Sequence, residues 1–299
     1  MRPVELEDAA AVERVVNDAS ERDVELKVYS PGQLAREWMK ELPEGFVVEQ
    51  DERIAGFLSF EWEGETSIYF EAWIGPAVRT PDDLFRRMVA EAEDHARRAA
   101  AEAGLIKLET NVNRDEERAI LEELDYETGM RDYAMFFELD DVPEAVWPAG
   151  MRVRPYREKL DDLLMHDVMK RGFETDWPES VEPGAWIQIH RDAAGYDPAL
   201  WFFAEDGREV VGAIQCRDTW RGSEDTGWIK NVSVAREARG KGVGRALLHE
   251  AFNRFAQRGR TRVVLGVDAA NPTRARDFYE RLGMVCRGSS TDHAKIIGP

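Results

Sequence analysis

The chain has little cysteine: Cys216 and Cys286 are the only two in 299 residues. They stand far apart with no C-x-x-C, which excludes a disulfide scaffold and a thiolate metal or redox motif, and each reads as a small buried residue. Long apolar runs are missing too; nothing approaches the roughly 20 residues of a membrane-crossing helix. The start, Met1-Arg2-Pro3-Val4-Glu5, has no signal-like apolar segment. His166, His190 and His249 are scattered, without metal-ligand spacing. Together these absences point to a soluble cytoplasmic protein, and the length suggests two domains of ordinary size.

Charge is present in quantity but unevenly. Residues 1–150 hold 37 acidic and 16 basic side chains, a net of −21, whereas residues 151–299 hold 22 and 24, a net of +2. An acidic first half is a poor partner for nucleic acid. The basic residues of the second half suit one small polyanion instead.

The most informative stretch is Arg239-Gly240-Lys241-Gly242-Val243-Gly244-Arg245. Before it, Trp228, Ile229, Val232 and Val234 suggest a strand; after it, Ala246, Leu247, Leu248, Ala251, Phe252 and Phe255 suggest an amphipathic helix. A strand that ends in a glycine-rich turn opening a helix makes an anion site, because the first-turn N–H groups are unpaired and the dipole adds about half a positive charge. No Ser or Thr follows Lys241, so this is not a nucleotide P-loop. Arg245 stands where the third glycine of a dinucleotide fingerprint belongs. What remains is R-x-x-G-x-G. A second segment follows, Asn271-Pro272, then Ala275, Phe278-Tyr279-Glu280-Arg281-Leu282-Gly283-Met284. It reads as a loop and a short helix stopped by Gly283 at C′.

These two segments, in this order, resemble the motifs of the GNAT superfamily of N-acetyltransferases. The resemblance implies a mixed α/β fold with a mostly antiparallel sheet flanked by helices. It implies acetyl-CoA as acyl donor, its pyrophosphate on Arg239, Gly240, Lys241, Gly242, Val243, Gly244 and Arg245. It also implies that the strand before the loop carries a bulge, with the backbone of Val232 and Val234 contacting pantetheine, and that Asn271 bonds the pantetheine arm. Tyr279 would lie near the CoA sulfur and serve as general acid; a phenol and an alkyl thiol have similar reference pKa values, near 10, so the transfer is nearly thermoneutral.

The chain also repeats itself. Asn113 precedes Ile120-Leu121-Glu122-Glu123-Leu124 much as Asn271 precedes Phe278-Tyr279-Glu280-Arg281-Leu282, a spacing of 158. Arg2-Pro3 matches Arg154-Pro155, and Ile54-Ala55-Gly56 matches Val210-Val211-Gly212. The linker, Asp140 to Gly150, holds two prolines and a glycine. Two tandem GNAT-like domains are therefore expected, 1–142 and 151–299. In the first, Asp82-Asp83 replaces the glycine loop and Leu121 stands for Tyr279, so that copy is expected to be non-catalytic.

The expected reaction is direct transfer of an acetyl group to a primary amine of a small molecule. Alternatives are the cysteinyl amine of a sugar-linked thiol, as in some tandem members of the superfamily, protein N-terminal acetylation, or acyl-CoA sensing without turnover. The strand Thr226–Val234 carries no carboxylate to act as base. Glu224 and Asp225 lie just upstream, and Glu174 and Asp176 lie in the expected acceptor loop with Trp177. Trp186, Trp220 and Trp228 complete an aromatic acceptor side.

Overall fold

The computed structural model describes residues 1–24, 28–173, 182–193, 195–220, 223–271 and 274–299. One succession of elements occurs twice. The first pass runs β1 (Arg2–Pro3), α1 (Ala9–Val24), α2 (Gln33–Trp38), β2 (Glu44–Gln50), β3 (Arg53–Trp62), β4 (Ser67–Ile74), α3 (Pro81–Ala103), β5 (Ile106–Val112), α4 (Asp115–Glu123) and β6 (Glu127–Glu138). The second runs β7 (Met151–Pro155), α5 (Asp162–Phe173), α6 (Pro183–Asp192), β8 (Tyr196–Asp206), β9 (Glu209–Arg217), β10 (Thr226–Val234), α7 (Val243–Gln257), β11 (Arg262–Asp268), α8 (Ala275–Arg281) and β12 (Val285–Ile297).

The chain forms two units, one of residues 1–134, 267–274 and 286–299, the other of residues 135–266 and 275–285. In the first, β1 to β4 are antiparallel neighbours and β5 joins β4 in parallel. In the second, β7 to β10 and β11 repeat that pattern. The strand that runs antiparallel to β5, pairing Ile297 with Ile106 and Thr291 with Val112, is β12. The stretch from Met135 belongs to the second unit, where the Leu139 N–H donates to the Thr261 carbonyl at 2.8 Å. The closing strands thus do not follow a cut in the linker. Either edge offers the same backbone partners, and local alternation does not say which one a strand will take.

Each sheet has helices on both faces. In the first unit Leu84, Phe85, Met88, Val89, Ala92 and Ala96 bury one side of α3 against Leu58, Ile68, Phe70, Ile106 and Leu108, while Val12, Val16, Leu34 and Trp38 cover Val47 and Phe57. Full burial of such a side chain contributes about 1.5–3 kcal/mol. In the second, α7 crosses β9 and β10 so closely that a Cβ on Gly227 would fall 2.3 Å from the Phe255 ring. On the opposite face the Ser233 hydroxyl donates to the Val168 carbonyl of α5 at 2.7 Å.

Polar details repeat as well. Arg2 grips Asp8 at 2.7 and 2.8 Å and reaches Glu49 at 3.0 Å, while the Asp8 carboxylate accepts the Glu5 N–H. Arg154 grips Asp161 at 2.8 Å and Glu205 at 2.6 Å, and Asp161 accepts the Arg157 N–H. One Arg–carboxylate lock fastens the entry strand of each unit.

Candidate active site

β10 meets its neighbours unevenly. Against β9 the register slips, with Ile229 opposite Cys216 and Asn231 opposite Gln215, so Lys230 is an extra residue. Such a bulge bends the strand and re-aims its backbone. Against β11, β10 pairs only from Thr226 to Ile229, opposite Arg262 to Leu265. From Lys230 to Val234 a slot opens between the two strands. It is edged by the β10 N–H and C=O groups that point away from β9.

The strand leads into a cradle. Gly240 (φ +75°) and Gly242 (φ +92°) occupy the left-handed region, where a Cβ costs about 1–2 kcal/mol. No side chain caps α7, and its first bond runs from Ala246 N–H to the Gly242 carbonyl at 3.0 Å. The N–H groups of Val243, Gly244 and Arg245 therefore have no acceptor among the described residues. Lys241 and Arg245 are exposed beside them. Arg239 behaves differently from the charge contribution its motif position suggests. Its Nε donates to the Val234 carbonyl at 3.1 Å and its Nη2 to the Gly172 carbonyl at 2.8 Å. It ties the loop to β10 and α5.

Phe278 seats α8 on this first turn, its ring 3.4 Å from where a Cβ on Gly244 would stand. Tyr279 beside it is buried, and burial pushes its pKa up to about 12. Its hydroxyl has no hydrogen-bond partner among the described residues. Gly283 (φ +88°) ends the helix, with the Leu282 and Met284 N–H groups returning to the Tyr279 carbonyl at 3.0 Å. Val232, Val234, the 239–245 loop and Tyr279 all belong to the second unit. Asn271 is counted with the first; its N–H donates to the Asp268 carbonyl at 3.1 Å and its carbonyl accepts the Arg274 N–H.

Glu224 and Asp225 are not brought to the slot. Both are exposed at the start of β10, where the Asp225 carbonyl accepts the Thr261 N–H at 2.9 Å. At about 3.3 Å per residue, Asp225 lies roughly 16 Å along the strand from Lys230, too far to act through one water. Glu174, Asp176 and Trp177 lie outside the described residues. Trp220, partly buried, packs edge-on to Phe136 at 5.6 Å.

Sequence reasoning missed a polar cluster under α6. The His190 Nδ1–H donates to the Trp186 carbonyl at 2.8 Å, which leaves Nε2 bare to accept from Asn231 Nδ2 at 3.2 Å. The same amide donates to Gln215 Oε1 at 2.9 Å. Burial pushes the His190 pKa down to about 4, so the ring is neutral at physiological pH. Trp186 packs on His190 at 4.2 Å, and Arg217 lies over Trp228. The available signal was Gln215-x-Arg217, polar alternation ending an apolar strand.

The first unit keeps the scaffold and lacks the cradle. Gly75 N–H bonds the Ala55 carbonyl as Ala235 N–H bonds that of Val211, both at 2.9 Å, and Val78 and Ala238 close the same turn. Three residues later α3 begins, whereas α7 begins five residues after Ala238. The loop of the second copy is two residues longer, which replaces a constant spacing of 158. Asp82 and Asp83 fill the first turn of α3. The β4–β5 ladder also stops early, after Tyr69 and Glu109, but the Thr110 hydroxyl then bonds the Phe70 carbonyl at 2.8 Å and closes the gap. Gly266, just past the last β10–β11 pair, leaves it open.

The chain matches the model of the acetyltransferase (GNAT) family over residues 165–284. Those residues form a GNAT acetyltransferase domain. A mycothiol acetyltransferase of Kocuria rhizophila is 31% identical over 150 residues, 48% of this chain and 49% of that protein. The chain thus spans about half the length of the curated relatives it matches. A GCN5-related N-acetyltransferase of Sphaerobacter thermophilus superposes with a TM-score of 0.77 at 25% identity, covering 100% of this chain and 95% of that one. A tandem GNAT protein from the clavulanic acid biosynthesis pathway superposes with a TM-score of 0.64 at 14% identity, covering 100% and 98%, and shares the fold. The architecture is two tandem GNAT-like units, each a mostly antiparallel sheet between helices.

Proposed function

We propose that the second unit is an acetyl-CoA-dependent N-acetyltransferase that moves the acetyl group directly to a primary amine of a small molecule. The observation that carries this reading is the uncapped first turn of α7, opening beside the unpaired edge of β10. The Val243, Gly244 and Arg245 amides, with Lys241 and Arg245, hold the pyrophosphate; the Val232 and Val234 backbone holds pantetheine. Backbone donors at the bulge polarise the acetyl carbonyl, worth several kcal/mol for a preorganised donor. The neutral amine attacks the carbonyl carbon, the C–S bond breaks, Tyr279 donates its proton to the departing thiolate, and the proton that the new amide nitrogen loses to solvent restores the phenol. An alkylammonium, with a reference pKa of about 10.4, must first lose its proton, which an amine of lower pKa does without a dedicated base, and His190 is committed to Asn231. Asn271 is proposed to contact the pantetheine arm, and the first unit to be catalytically silent.

A cysteinyl amino-sugar acceptor is the second reading, favoured by the identity to the Kocuria rhizophila protein. Thiol release from acetyl-CoA, followed with a panel of small amines, cysteinyl amino sugars and peptides, tests the proposal. Amine-dependent release is expected; a chain that binds acetyl-CoA and releases no thiol with any of them is a sensor.

A further inference from the structure

The face of β9 and β10 beneath α6 carries more donors than acceptors. Arg217 is half-buried, its guanidinium carbon 4.9 Å from the centroid of the Trp228 ring, and its Nε is buried without a hydrogen-bond partner. No carboxylate pairs with it among the described residues, and burial alone pushes its pKa down. Gln215, two residues earlier and so on the same face, is fully buried. Its Oε1 accepts from Asn231, but its Nε2 has no partner. A buried donor left unmade and a cation drawn from water without a counter-ion are both unfavourable.

The neighbouring groups do not supply the missing acceptor. His190 is neutral with both ring nitrogens engaged. Lys230 adds another positive charge, 4.8 Å over the same Trp228 ring. Asp218, just past the end of β9, bonds Arg260 at 2.5 Å. The Lys230 bulge is what brings Trp228 and Asn231, three apart on a strand, to one face next to the proposed acetyl position.

We infer that the amine acceptor bears a carboxylate, and that Arg217 with the Gln215 amide receives it while Trp228 backs the substrate. This rests on the transferase reading. The planar guanidinium fork matches a carboxylate, and one guanidinium with one neutral amide suits a single negative charge.

The test compares matched acceptors on the full chain: L-lysine with L-lysinamide, L-phenylalanine with L-phenylalaninamide, and O-phosphoethanolamine with ethanolamine. The carboxylates are expected to exceed their amides by about tenfold or more in kcat/KM, and Arg217→Gln to erase that ratio chiefly through KM. Arg217→Lys is expected to restore part of it, and a circular-dichroism melt checks that each variant folds. Equal or better use of the amides by the unaltered protein, a ratio untouched in Arg217→Gln, or preference for the phosphate would overturn the inference. Turnover of neutral amines alone removes this inference and leaves the transferase standing. No acetyl-CoA binding and no thiol release removes both.

Discussion

At the scale of single residues, Tyr279 is the sharpest case. Burial raises its pKa to about 12, so the hydroxyl keeps its proton across the working range, and its transfer to a departing thiolate, nearly thermoneutral at the reference values, is uphill by about 3 kcal/mol. Tyr279→Phe is expected to lower kcat by about 100-fold or more, typical of general-acid removal, with acetyl-CoA affinity within about twofold. Unchanged turnover in a thiol-release assay would take Tyr279 out of the reaction. Glu117 carries a second prediction. Burial raises its pKa to about 7 against the opposing pull of Arg114, 3.5 Å away. Between about pH 4.5 and 7 the folded chain holds a proton that the unfolded chain has released, so this group's contribution to stability falls as pH rises. Glu117→Gln should flatten that slope in denaturant titrations and raise stability at pH 8; an unaltered slope would show that Glu117 titrates normally. His190 gives the opposite sign, because a histidine buried neutral opposes folding as pH falls from about 6.5 toward 4.

At the scale of elements, the strand-loop-helix unit from β10 to α7 was legible in the sequence. Gly240 and Gly242 adopt positive φ, and Gly283 closes α8 as a C′ residue. The bulge at Lys230 was implied only by resemblance. Its consequence for Arg217 and Gln215 was hidden, because alternation alone assigns Trp228 and Asn231 to opposite faces. The assignment of β12 was equally hidden. Its pairing with β5 extends over Thr291–Ile297 and completes the first unit. Deleting residues 286–299 should therefore strip hydrogen-exchange protection from β5 amides at Ile106–Val112 while α7 amides stay protected. Protection lost first in α7 would contradict that assignment. For the same reason residues 1–142 alone lack a strand that their unit uses, and tests of the first unit belong on the full chain.

At the scale of the whole molecule, one scaffold was used twice and furnished once. The Arg2–Asp8 and Arg154–Asp161 locks and the twin turns at Gly75 and Ala235 preserve the frame in both units. The glycine loop and the open slot occur in the second, while the first carries Asp82, Asp83 and the Thr110 closure. The charge imbalance read from the sequence agrees with this division, since the first unit carries a net −16 and the second −3, and the strongly negative surface is the one that repels a polyanionic coenzyme. Calorimetric titration of the full chain with acetyl-CoA, beside Gly242→Val, tests the account most directly. The predicted result is one site per chain, with affinity reduced about tenfold or more in the variant, because a branched side chain is strained at φ +92°. No binding, two equivalent sites, or equal affinity in Gly242→Val would contradict it.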